Sequence, residues 1–90
     1  MTLKRGRPEI AFDILSAVYE SKGQIKPTRL LYKSNLSYAR LKVYVDSLIR
    51  QGLLHVKKDG RHKLITLTQK GYDYLNRYDQ VKEFIESFGA

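Results

Sequence analysis

Residues 25–67 read IKPTRLLYKSNLSYARLKVYVDSLIRQGLLHVKKDGRHKLITL, and the change of apolar period inside this stretch decides the fold. Pro27 pushes Lys26 out of the helical region, so Gln24-Ile25-Lys26 reads as a short extended piece. Thr28 then offers an N-cap to a short helix over Arg29–Ser34 that buries Leu30 and Leu31. Asn35-Leu36-Ser37 reads as a tight turn, with Ser37 capping a helix from Tyr38 to Gln51 and Leu36 spaced to staple onto Leu41. Along that helix Leu41, Val45, Leu48 and Ile49 form one inward stripe, and Gly52 ends it. Past Gly52 the period becomes two. Leu54 and Val56 alternate with His55 and Lys57, and Ile65 and Leu67 alternate on the return. Asp59-Gly60 is a dipeptide that type I′ hairpin turns favour; pairing Lys58 with Arg61 around it sets Leu54 opposite Ile65.

Working outward, Ala11, Ile14, Leu15 and Val18 recur at helical spacing between Pro8, which suits a first turn, and Gly23, which suits a stop after Lys22. On the other side Thr68 caps a last helix over residues 69–88, with Leu67 spaced to staple onto Tyr72. Gly71 inside it costs about 1 kcal/mol against alanine, with no sequence-level reason. Tyr74, Tyr78, Val81, Ile85 and Phe88 follow a heptad seam on this helix, which is about 30 Å long at 1.5 Å per residue and outruns so small a core. The seam therefore predicts a homodimer through the C-terminal helix, with Val81, Ile85 and Phe88 at its centre and Tyr74 and Tyr78 partly shared with the domain's own core; folding back onto the first helix is the alternative.

The expected architecture is mainly α with a small β-hairpin, a winged helix-turn-helix plus a long C-terminal helix. It divides into a basic arm (1–7), the winged domain (8–68) and a dimerisation helix (69–90). Ninety residues support one core, and a chain of this size buries only about 60–65% of its surface, so association with a second chain is a natural staple. No cysteine is present, which excludes disulfides and thiolate metal sites and fits a reducing compartment. No apolar run reaches the roughly 18 residues of a membrane span, nor does the basic start resemble a signal peptide, so a soluble, cytoplasmic, nucleoid-associated protein is expected.

Seventeen Lys and Arg against nine Asp and Glu give +8, unevenly placed. Residues 1–21 balance at three of each sign. Residues 22–63 carry eleven cations against Asp46 and Asp59, or +9, and residues 64–90 carry three against four. A positive field concentrated on a helix-turn-helix and hairpin points to a polyanion, and double-stranded DNA is the partner expected. The rival is an interaction module that docks on an acidic protein.

The order of elements, with Asn35-Leu-Ser-Tyr38 opening the third helix, Leu48-Ile-Arg-Gln-Gly-Leu-Leu54 closing it and Leu67-Thr-Gln-Lys-Gly71 opening the last, resembles the winged helix-turn-helix superfamily. Residues 25–37 more closely resemble small archaeal winged-helix DNA-binding proteins, a mixture of chromosomal proteins and regulators. That resemblance implies a C-terminal coiled-coil dimer, with antiparallel helices favoured.

For a helix entering the major groove, the available surface is Ser37, Tyr38, Arg40, Lys42 and Val43. Arg40 suits guanine O6 and N7, Ser37 with the helix N-terminus suits a phosphate, and Lys42 a phosphate. Tyr38 reads equally as a groove contact or as a packing residue seven positions before Val45. Arg29 and Lys33 on the preceding helix join the DNA-binding set. Lys57, Lys58, Arg61 and Lys63 on the hairpin suit the backbone or minor groove, or else a charged edge that discourages aggregation. Arg5 and Arg7 lie in Arg-Gly-Arg-Pro, which resembles an AT-hook core and is equally a basic start before a helix-initiating proline. His55 and His62 read as surface residues. With no nucleophile–base pair and no phosphate-cradling loop, neither an enzyme nor a cofactor, metal or small-molecule substrate is expected.

Overall fold

The computed structural model describes residues 7–89, with side chains over 9–87. The elements run α1 (Arg7–Glu20), β1 (Gln24–Ile25), α2 (Pro27–Ser34), α3 (Tyr38–Arg50), β2 (Leu54–Asp59), β3 (His62–Leu67) and α4 (Gln69–Gly89). The strands form one antiparallel sheet in the order β1-β3-β2. Three helices and one face of this sheet enclose the core, and α4 closes it from the side.

The inward stripe of α1 is Ile10, Ile14, Leu15, Ala17 and Val18, with Ala11 only half-buried. The helix begins at Arg7, one residue inside the expected arm, and Arg5 lies outside the described residues. It stops earlier than Lys22. The Gly23 amide donates to Val18 O (3.0 Å) and the Lys22 amide to Tyr19 O (3.0 Å), so Lys22 itself holds the left-handed cap position, φ 65°.

At α2 the expected Thr28 cap is corrected. Lys26 is the N-cap, extended at φ −71° and ψ 142°, and makes no side-chain cap bond; Pro27 supplies the first helical residue. A proline there has no N–H to satisfy and forces extension on its predecessor, so the cap hydroxyl is dispensable. β1 is not merely extended but paired, Gln24 opposite Thr66 and Ile25 opposite Ile65. That third strand gives the hairpin the support that a two-stranded ribbon lacks.

The hairpin register also differs from expectation. Asp59 pairs with His62, Lys58 with Lys63, and Leu54 with Leu67 rather than Ile65, so the turn residues are Gly60 and Arg61. A slip of two residues leaves every side chain on its own face, so the apolar pattern cannot tell these registers apart. The turn does. Gly60 takes φ 62° while Arg61 stays negative, the type II′ arrangement with glycine at the first central position.

In α4 the inward face is Gly71 and Leu75, flanked by half-buried Tyr74 and Tyr78. Leu75 is therefore a core residue that the heptad reading passed over. A Cβ on Gly71 would collide with the Leu53 carbonyl oxygen and come within 2.5 Å of Leu67 Cδ1, so this glycine is the point where α4 touches the sheet. Phe12 of α1 stacks on Tyr78 (centroids 4.4 Å apart, 26°), and burial, then Tyr78 and then Glu9 push the Tyr74 hydroxyl above its usual pKa. The proximal half of α4 thus folds against α1. Beyond it Val81 (57% exposed) and Ile85 (62%) stand in solvent, while the Phe88 side chain lies outside the described residues. Among the described residues no helix is long and apolar enough to cross a membrane.

Candidate nucleic-acid interface

The turn between α2 and α3 is fixed by two serines. Ser34, buried at the end of α2, donates to Leu31 O (3.1 Å) and accepts from the Leu36 amide (3.3 Å), and Asn35 takes the left-handed conformation, φ 56°. Ser37 then caps α3, its Oγ accepting from the Arg40 amide at 3.2 Å. Leu41, Val45 and Leu48 bind α3 to the core. Half-buried Tyr44 and Ile49 pack beside them, which leaves the opposite side of the helix exposed.

At 3.6 residues per turn, the direction opposite the buried stripe falls on Ala39, Val43 and Arg50. All three are exposed. Arg40 lies to one side of this crest and Tyr38 and Lys42 to the other. Tyr38 is 69% exposed, which favours the surface reading over packing, and its ring borders a small apolar hollow between α2 and α3 lined by Pro27, Thr28, Leu31 and Leu41. Lys42 Nζ pairs with Asp46 Oδ2 one turn on (3.3 Å). Both groups are wet, so the pair is worth at most about 1 kcal/mol and yields readily to a phosphate. Arg50, outside the expected contact surface, also falls on this exposed side, seven residues from Val43.

The base of the hairpin is tied to the end of α3. Thr68 Oγ1 donates toward Gly52 O (2.6 Å) and Leu53 O (3.0 Å) and accepts from the Gly71 amide (3.0 Å), acting as the N-cap of α4. Lys70 Nζ donates to Gln51 O (2.8 Å), placing a cation on the negative C-terminus of α3. One junction thus sets the angle between α3, the hairpin and α4.

At the tip, Lys57, Lys58, Arg61 and Lys63 are all exposed. Lys58 and Lys63 are direct cross-strand partners. Two like charges about 5 Å apart at Cβ destabilise the bare hairpin by some tenths of a kcal/mol, a cost that an anion lying between them reverses. Exposed Arg29 sits on α2, whereas Lys33, on the helix flank opposite Leu31, lines a separate cleft between α1, α2 and α4 beside Asp13, Glu20, Asp73 and Asp79. The structure therefore sets Ser37 at the start of α3, Arg40 on one flank of the helix and Tyr38 and Lys42 on the other, and the four cations on the hairpin, with Lys33 apart. His55 faces Thr66 and His62 faces Asp59, both exposed. Among the described residues no three His, Asp or Glu side chains are grouped to hold a metal ion.

Two packed helices joined by a three-residue turn, followed by a hairpin wing and a long helix, define a winged helix-turn-helix domain. The chain belongs to the winged helix-turn-helix family, whose model matches residues 4–86. It is 36% identical over 72 residues, 80% of this chain and 71% of the other, to an uncharacterized protein of Methanocaldococcus jannaschii. Among solved structures it superposes on Sso10a-2, a DNA-binding protein from Sulfolobus solfataricus, with a TM-score of 0.76 and 27% identity, covering 93% of this chain and 85% of that one. It has the same fold as F93 from the virus STIV, a winged-helix DNA-binding protein, with a TM-score of 0.75 and 21% identity over 89% and 92% of the two chains.

Proposed function

We propose that this protein binds double-stranded DNA as a homodimer, with α3 in the major groove and the 57–63 wing on the backbone or minor groove, and so regulates transcription or organises chromatin. The observation that carries the reading is the placement of charge. All eleven cations of residues 22–63 are exposed, on the helix-turn-helix, the wing and their approaches, while residues 1–21 and 64–90 are nearly balanced. Similarity to Sso10a-2, itself a DNA-binding protein, supports the same partner. Arg40, Lys42, Ser37 and Tyr38 approach the groove, Arg29 meets the backbone from α2, and Lys57, Lys58, Arg61 and Lys63 supply sequence-independent affinity.

Dimerisation rests on α4. Val81 and Ile85 leave branched apolar side chains largely in water on a helix whose other end is packed, and covering what remains exposed of each yields about 1–2 kcal/mol. Titration with a duplex at two salt concentrations tests the DNA reading. Binding should weaken steeply as salt rises, by about 0.9 log units in affinity per log unit of salt for each phosphate contacted. Absence of binding at low salt, or binding without a salt slope, overturns it in favour of a protein partner.

A further inference from the structure

The N-terminal part of the crest of α3, Ala39 and Val43, is apolar, with Arg40 and Lys42 to its sides and Arg50 two turns further along. Val43 is 66% exposed and lies in the middle of the face directed away from Leu41, Val45 and Leu48, with exposed Ala39 one turn before it. By helix geometry Arg40 sits about 60° to one side of Val43 and Lys42 about 100° to the other, where Asp46 already holds it. A helix laid crest-first into a major groove then brings Ala39 and Val43 to the floor, with Arg40 and Lys42 on its two flanks. Neither crest side chain can donate or accept a hydrogen bond. The apolar group that the floor of a major groove offers to such a surface is the C5 methyl of thymine.

We propose that Val43, assisted by Ala39, contacts thymine methyl groups and gives the protein a preference for thymine in the base pairs beneath α3. The inference rests on the DNA reading above and adds its specificity. Chemically it is a preference by burial: a methyl seated on Val43 leaves water, whereas the same position on a cytosine presents only C–H beside a polar amine. One buried methyl corresponds to about a fourfold gain in affinity.

The test uses the full chain and two duplexes of identical sequence, rich in A·T pairs, one containing thymine and the other deoxyuridine, which removes the methyl and keeps every hydrogen-bonding group. Wild-type protein should bind the thymine duplex about fourfold or more tightly by fluorescence anisotropy. Val43→Ser, a substitution on an exposed helix face, should bring the ratio close to one while retaining binding. In a third duplex with G·C pairs, replacing cytosine by 5-methylcytosine should strengthen wild-type binding and leave Val43→Ser unchanged. Equal wild-type binding to the thymine and uracil duplexes overturns the inference alone, as does a ratio that persists in Val43→Ser, since it would then report duplex shape. Failure to bind either duplex overturns the DNA reading and this inference with it.

Discussion

Replacing Gly71 by alanine should destabilise the protein, although alanine is the better helix former by about 1 kcal/mol. The reason is local. The new Cβ would collide with the Leu53 carbonyl oxygen and stand 2.5 Å from Leu67 Cδ1 and 3.1 Å from its Cγ. That carbonyl cannot retreat freely, because it accepts from the Thr68 amide (3.2 Å) and Thr68 Oγ1 (3.0 Å), which fix the start of α4. Overpacking costs about 1–3 kcal/mol and a weakened hydrogen bond about 0.5–1.5 kcal/mol more, so after the helix gain the net loss is about 2 kcal/mol. For a domain of this size that lowers Tm by about 8–16 °C. Thermal unfolding followed by circular dichroism, with both proteins at one concentration because a dimer's Tm depends on it, measures the difference. Gly60→Ala is the comparison: its Cβ would meet nothing within 4 Å, so its loss of about 1–2 kcal/mol would come from the positive φ of 62° alone and not from a collision. A Gly71→Ala protein as stable as wild type would refute the close-approach account of α4.

Three further outcomes are expected. Lys58→Ala with Lys63→Ala should reduce the salt slope of DNA binding by up to about 1.8 and, by removing a like-charge cross-strand pair, leave the free protein as stable or slightly more so; an unchanged slope takes this face of the wing off the DNA. Val81→Asp with Ile85→Asp should give a monomer in sedimentation that still binds DNA, more weakly because two linked sites become one, and a double variant that remains dimeric removes α4 from the interface. Because the folded-state pKa of Tyr74 is raised above 10.0, its contribution to stability is present below that value and is lost as pH rises through it toward the folded value. Tyr74→Phe should therefore lose less stability than wild type between pH 9 and 11, and parallel melting curves over that range would contradict the burial.

The order of elements was legible from the chain because it rests on local physics. Two periods in the apolar pattern, a proline that excludes helix before it, a serine cap and the glycine stop at Gly52 define α3 and the hairpin, and an apolar stripe defines α1, without reference to any distant contact. The excess of cations over residues 22–63 was equally a property of sequence, and family membership bears out the winged helix-turn-helix reading. What depended on tertiary contact could not be read in the same way. The hairpin register is invisible to a period-two pattern under a shift of two, and β1 became a strand only because β3 lay within reach of Gln24 and Ile25. Gly71 looked like a defect until Leu53 was placed against it. Leu75 was hidden beside a seam of tyrosines because the sequence does not state which side of α4 meets α1. The crest of α3 follows the same rule: spacing gives the angles between Arg40, Lys42, Val43 and Arg50, but only the packing of Leu41, Val45 and Leu48 against the core fixes which of them points away from it.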